Sequence, residues 1–110
     1  MNGGTVYLLG DRNQDGIYKI GVTRGSVEKR VKRLQTGNSG EIYVVNSFVS
    51  KYPFFIESSL HRKYNGSKVL NEWFDLDKDE VDGFLNMCLS IENMAETLKD
   101  NPFFNYENLK

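Results

Sequence analysis

The sequence predicts an α+β fold: a small antiparallel three-stranded sheet flanked by helices in the order β-β-α-β-α, followed by a long C-terminal helix. Three observations carry this. Two β-rich runs near the N-terminus are separated by a short polar loop, which implies an antiparallel hairpin. Ser26 and Pro53 stand where helices start, and the strongest β-run of the chain lies between them. From Val81 to Leu98 apolar residues recur at helical spacing.

Residues 4–10 (Gly-Thr-Val-Tyr-Leu-Leu-Gly) read as a strand by their β-branched and aromatic content. Residues 11–16 are polar and end in an Asp-Gly turn signal, and residues 17–23 (Ile-Tyr-Lys-Ile-Gly-Val-Thr) read as the second strand. Ser26 is a favourable N-cap for a helix over 27–35, where Val27, Val31 and Leu34 form one buried stripe. A loop over 36–40 leads to a strand over 41–49. Pro53 suits the first turn of a helix reaching about Tyr64, with Gly66 as its cap. Residues 67–76 read as short extended structure in which Trp73 and Phe74 pack on the core rather than stack on bases. Asp77 and Glu80 have capping-box spacing at the head of the last helix. In that helix Met87, Cys88 and Met94 read as core, and Asn101-Pro102 ends it. The expected organisation is one domain over 1–100, with a motif core at 4–76, a helix at 77–99 and an aromatic tail at 101–110.

The 110 residues allow one modest core, and the 39% hydrophobic and 26% charged content is that of an ordinary globular protein. No apolar run approaches the roughly 18 residues that span a bilayer, and the N-terminus has no signal-peptide pattern. One cysteine and one histidine exclude an internal disulfide and a zinc cluster, which suits a cytoplasmic setting. The net charge of -1 hides an asymmetry: residues 1–71 hold 11 Lys/Arg and 5 Asp/Glu, residues 72–110 hold 3 and 10. The basic front part suggests a face for a polyanion.

The residues that carry chemistry lie in that part. Arg30 falls on the edge of the Val27-Val31-Leu34 stripe, where a planar guanidinium can reach a shielded phosphate. Lys29, Lys32 and Arg33 fall further round, toward solvent, placed for nonspecific attraction to a nucleic-acid backbone. Lys63 adds a further cation to this expected surface. Glu57 and His61 are four apart and share a helix face. Tyr7 and Lys19 can share one face of the hairpin, whereas Tyr18 points to the other.

Thr5-Val6-Tyr7 followed by Lys19-Ile20-Gly21 resembles the paired signature strands of the GIY-YIG nuclease superfamily. Ser26-Val27-Glu28-Lys29-Arg30 resembles the start of that family's first helix, with its catalytic arginine. Ile56-Glu57-Ser58-Ser59-Leu60-His61 resembles the helix with the metal-binding glutamate. With Asn71-Glu72-Trp73-Phe74, the set is most similar to a phage and bacterial branch in which Lys replaces the tyrosine of the second signature. The resemblance covers about 4–76. It implies a DNA endonuclease using one Mg²⁺ or Mn²⁺ ion, held tightly only with DNA bound. It implies Glu57 as metal ligand, Arg30 as phosphate clamp, His61 as auxiliary and Tyr7 beside the attacking water. Lys19 would lower the phenol's pKa from its usual value of about 10. Asn71, with Glu72 as runner-up, stands nearest the polar residue that follows the glutamate helix, and Tyr18 is a further auxiliary candidate. Two other readings compete. One is a nucleic-acid-binding module that kept the fold and lost the chemistry, motivated by Lys19. The other is an interaction domain whose C-terminal helix and tail bind a partner or a second copy.

Overall fold

The computed structural model describes residues 3–101. Strands β1 (Gly4–Asp11) and β2 (Gln14–Thr23) are followed by α1 (Val27–Thr36), β3 (Ile42–Ser50) and α2 (Pro53–Lys63). A 3-10 turn (Asn65–Ser67), β4 (Lys68–Leu70), β5 (Trp73–Asp75), α3 (Lys78–Asp82) and α4 (Phe84–Leu98) complete the chain. The strands form one antiparallel sheet in the order β3-β1-β2-β5-β4. The class is α+β as the sequence predicts, with five strands in place of three. The two additional strands are three residues long, too short to show an alternating pattern by themselves. β5 exists because it pairs with β2, placing Ile17, Tyr18 and Lys19 against Asp75, Phe74 and Trp73.

β1 lies between β3 and β2, and its residues alternate between two cores. Val6 and Leu8, with Ile20 and Phe74, face α2 and α4, which contribute Ile56, Leu60, Phe84, Cys88 and Ile91. Tyr7 and Leu9 face the other way, where α1 lays Val27, Val31 and Leu34 over them and Ile42. The buried stripe of α4, Phe84-Cys88-Ile91-Ala95, keeps helical spacing and docks against β3 and α2.

Ser26 caps α1 by accepting from the Lys29 N–H at 3.1 Å, Pro53 opens α2, and Asp77 and Glu80 form the expected capping box. Several boundaries differ from expectation. The β1–β2 turn is Arg12-Asn13, and Gly16 (φ 81°) is a positive-φ residue inside β2 rather than a turn. Gly66 does not cap α2; the helix closes on the Tyr64 N–H bonding to Leu60 O, and Gly66 sits in the 3-10 turn. The long C-terminal helix is broken at Gly83, the residue with least helical preference short of proline, so α3 is a single short turn. Met94 is 55% exposed rather than core, whereas Cys88 is fully buried and Met87 packs against the core. Phe74 is core, but Trp73 points to the opposite face and stays half-exposed. The expected end at Asn101-Pro102 and the aromatic tail fall outside the described residues from Pro102 on. Among the described residues no helix is long and apolar enough to cross a membrane.

A buried carboxylate ties the turns of the basic half together. Asp11, 3% exposed, accepts from the Asn13 N–H at 2.9 Å and from the Asn38 amide at 3.1 Å. These bonds hold its pKa below the usual carboxylate value. A lowered folded pKa means stability that is present above about pH 4 and lost as the pH falls through the folded value. Asp11→Ala is expected to cost about 1–3 kcal/mol, because it strands two donors. Urea unfolding at pH 7 and pH 3 checks this: the difference between variant and wild type should shrink at the lower pH.

Candidate active site

The β1–β2 register pairs Tyr7 with Gly21 and Leu9 with Lys19, so Tyr7, Lys19 and Gly21 lie on one face of the hairpin. The Tyr7 ring lies directly over Gly21, where any Cβ would collide with the ring and hydroxyl. Gly21 therefore shapes the seat of Tyr7. The ring is 1% exposed; its hydroxyl has no hydrogen-bond partner among the described residues, yet is not sealed from solvent. Burial pushes the Tyr7 pKa up, Arg30 opposes that, and Glu72 and Glu57 add to it. This corrects the role expected of Lys19. The cation that favours the Tyr7 phenolate is Arg30, and burial outweighs it, so Tyr7 is held as a neutral phenol. Lys19 is engaged elsewhere: its Nζ is 3.0 Å from Glu72 Oε1 and 5.8 Å from the centre of the Trp73 ring.

α1 delivers Arg30. The residue is half-buried at the edge of the helix stripe, and its guanidinium makes no ion pair or hydrogen bond among the described residues. Lys29, Lys32 and Arg33 are exposed on the outer side of the same helix.

α2 delivers Glu57 and His61. β5 covers β2 only as far as Lys19, apart from one bond from the Ile20 N–H to Glu72 O at 3.2 Å. Past that point the outer edge of β2 is open to α2, and His61 Nε2 donates to the Ile20 carbonyl at 2.9 Å. The bond fixes the proton on Nε2 and, with an edge-on contact to Phe74 at 4.9 Å, locks the ring. Glu57, one turn earlier, is half-buried, and its carboxylate has no hydrogen bond or ion pair among the described residues. Burial raises its pKa and Glu72 raises it further, while His61, Lys19 and Arg30 pull it down. These mutual effects gather Tyr7, Lys19, Arg30, Glu57, His61 and Glu72 around one place on the sheet.

Two expected members lie apart. Tyr18 faces the opposite core, where burial raises its pKa. Lys63 projects from α2 into a cavity shared with Asp77, Asp79 and Glu80, away from the basic face of α1. Asn71 is displaced by its neighbour. Asn71-Glu72 is the two-residue turn between β4 and β5; Asn71 takes the left-handed conformation (φ 52°) and is exposed, and Glu72 turns to the site. The sequence signal was available, because Asn is favoured where φ is positive, which leaves the next residue free to point inward. Cys88 is no rival nucleophile, since burial pushes its thiol up to about 12.

The donor set bears on a cation. Among the described residues no group of three or more His, Cys, Asp or Glu side chains could cage a metal. A single half-buried, unpartnered carboxylate with a second one nearby suits a hard divalent ion whose remaining ligands are water and substrate oxygens.

No curated protein and no solved structure matches the chain. Residues 4–89, which run from β1 into α4 and include every site residue above, match the family model described as the T5orf172 domain, a domain associated with nuclease-related proteins. The match spans most of the sequence, and the chain belongs to the T5orf172 domain family.

Proposed function

We propose that the domain is a metal-dependent DNA endonuclease with a GIY-YIG-like site. The observation that carries this is the convergence of three unpartnered groups on one patch: the Glu57 carboxylate, the Arg30 guanidinium and the Tyr7 hydroxyl. A fold seldom keeps a half-buried charge without a partner, since its desolvation is uncompensated. A phosphodiester supplies the partner that Arg30 lacks, and a divalent ion the one that Glu57 lacks.

In this reading Arg30 grips the non-bridging oxygens of the scissile phosphate and offsets the charge that builds on them. Tyr7 is neutral at rest; once its proton is lost to solvent, the phenolate accepts a proton from the attacking water as the new O–P bond forms and the bond to the leaving oxygen, which takes its proton from solvent, breaks. His61, with Nε2–H committed to Ile20, keeps Nδ1 unprotonated and available as a proton acceptor. Lys19 and Glu72 act as a pair that keeps the second carboxylate in position. Glu57, with Glu72 nearest to it, would hold one Mg²⁺ or Mn²⁺ ion, whose chemistry when bound is Lewis-acid stabilisation of the phosphoryl and leaving oxygens. Lys29, Lys32 and Arg33 supply salt-dependent attraction to the backbone.

Supercoiled plasmid and oligonucleotide duplexes test this, incubated with Mg²⁺ or Mn²⁺ and with EDTA. Wild type should nick only with the divalent ion, and Glu57→Ala should not. Equal nicking by both proteins would remove the mechanism. The Lys19–Glu72 pair favours one other reading, a binding module without chemistry, because it occupies the cation that replaces the second signature tyrosine. That reading expects DNA binding that persists in EDTA and no cleavage with any ion.

The Tyr7 pKa gives a pH prediction. Because it is raised, less phenolate exists at neutral pH, so a rate that needs the Tyr7 proton removed should climb through pH 7–9. Single-turnover rates across that range should rise in wild type and flatten in Tyr7→Phe.

A further inference from the structure

On the same sheet face as Tyr7 and Lys19, a cavity of about 190 Å³ opens between the α1–β3 loop and the β4–β5 hairpin. Its lining is Gln14, Ile17, Asn38, Val69, Leu70 and Trp73. We propose that it receives one unpaired nucleobase of the substrate strand, an inference that rests on the nucleic-acid reading above.

Three features select this occupant. Trp73 is the residue over which the Lys19 ammonium sits, so the cavity adjoins the cluster that would hold the phosphate. Val69 and Leu70 are 58% and 64% exposed, an apolar rim left in water beside a half-exposed indole. Such a rim suits a flat ring stacked on an aromatic. The polar wall is oriented by Asp11. A carboxylate only accepts, so the Asn38 Nδ2 at 3.1 Å and the Gln14 Nε2 at 3.5 Å are turned to it. The two amide oxygens then face away from Asp11 and accept no hydrogen bond among the described residues. A cavity with apolar walls, an indole and two amide acceptors fits a planar heterocycle with N–H donors on its edge. No cation lines it, which disfavours a phosphate.

A base inside a duplex cannot reach such a cavity without leaving its stack. The domain should therefore prefer a strand with an unpaired base next to the scissile phosphate.

Trp73 is the only tryptophan of the chain, so its fluorescence reports on the cavity directly. The full chain, in EDTA to prevent cleavage, is titrated with a single-stranded hexanucleotide. A hexamer of the same charge with abasic sugars serves as the comparison. The base-bearing strand should quench Trp73 and bind about ten-fold more tightly than the abasic one. The double variant Val69→Ser/Leu70→Ser should lose that preference while keeping the salt-dependent affinity for the abasic strand. Gln14→Ala, an exposed substitution at the first residue of β2, should weaken only the base-bearing strand. Equal affinity for both strands without quenching would overturn the base pocket and leave the nucleic-acid reading standing. Failure to bind either strand would overturn both. A change in sedimentation of the double variant with no change in strand preference would assign the rim to self-association and overturn the proposal.

Discussion

Glu57→Gln is expected to make the domain more stable at neutral pH while abolishing cleavage. The Glu57 pKa is raised in the fold because burial and the neighbouring Glu72 both disfavour its charge. A raised folded pKa means that the stabilising protonated form is complete below the ordinary glutamate value of about 4.3. It is lost as the pH rises through the folded value. At pH 7 the wild type therefore carries an uncompensated half-buried charge that glutamine removes. The melting temperature in EDTA should rise by roughly 2–5 °C at pH 7, and the gain should vanish near pH 4. Excess Mg²⁺ with DNA should stabilise the wild type more than the variant, because ligand binding to the folded state adds to stability. Cleavage should fall by about 10³-fold. A lower melting temperature for the variant at pH 7 would mean that the charge is already compensated, which contradicts a site waiting for a cation. Thermal melts from pH 4 to 8 decide this without any substrate.

Gly21→Ala should damage both fold and activity. A methyl at position 21 would occupy the space of the Tyr7 ring and hydroxyl. Since Gly21 is paired with Tyr7 in β1, and β1 is held on its other side by β3, the backbone has little room to yield. The expected cost is about 1–3 kcal/mol, the usual range for overpacking, with at least a hundred-fold loss of cleavage as Tyr7 is displaced. The double variant Gly21→Ala/Tyr7→Ala separates this cause from a general intolerance of alanine in β2. Truncating Tyr7 makes room for the new methyl, so urea unfolding should show the two substitutions costing less together than the sum of each alone. Strict additivity would mean that the two residues do not meet.

The parts of the site legible in the sequence are those set by local periodicity. Arg30 is placed by its angle from Val27, Val31 and Leu34 on one helix, and Glu57 and His61 by four-residue spacing on another. Tyr7 and Lys19 share a face because alternation along a strand is strict once the hairpin is granted. What the sequence concealed depends on partners far along the chain. Lys19 reads as the tuner of Tyr7 because they are close in the hairpin, but its nearest charge is Glu72, brought back by β5. β4 and β5 are strands only through their pairing, so no pattern in six residues reveals them. Tyr7 reads as a phenol that could be ionised, yet its degree of burial under α1 is a packing fact, and burial decides the direction of its pKa. The Asp11 network joins the β1–β2 turn to the α1–β3 loop through an asparagine 27 positions away, beyond the reach of any spacing argument.

The most direct test of the central claim is a double-mutant cycle in single-turnover cleavage at saturating DNA and Mg²⁺, using Tyr7→Phe, Glu57→Gln and both together. If the two residues serve one phosphate, each single variant loses at least a hundred-fold, and the double variant is scarcely slower than the worse single, as in sites that act as a unit. Near-wild-type rates in both single variants would contradict the account.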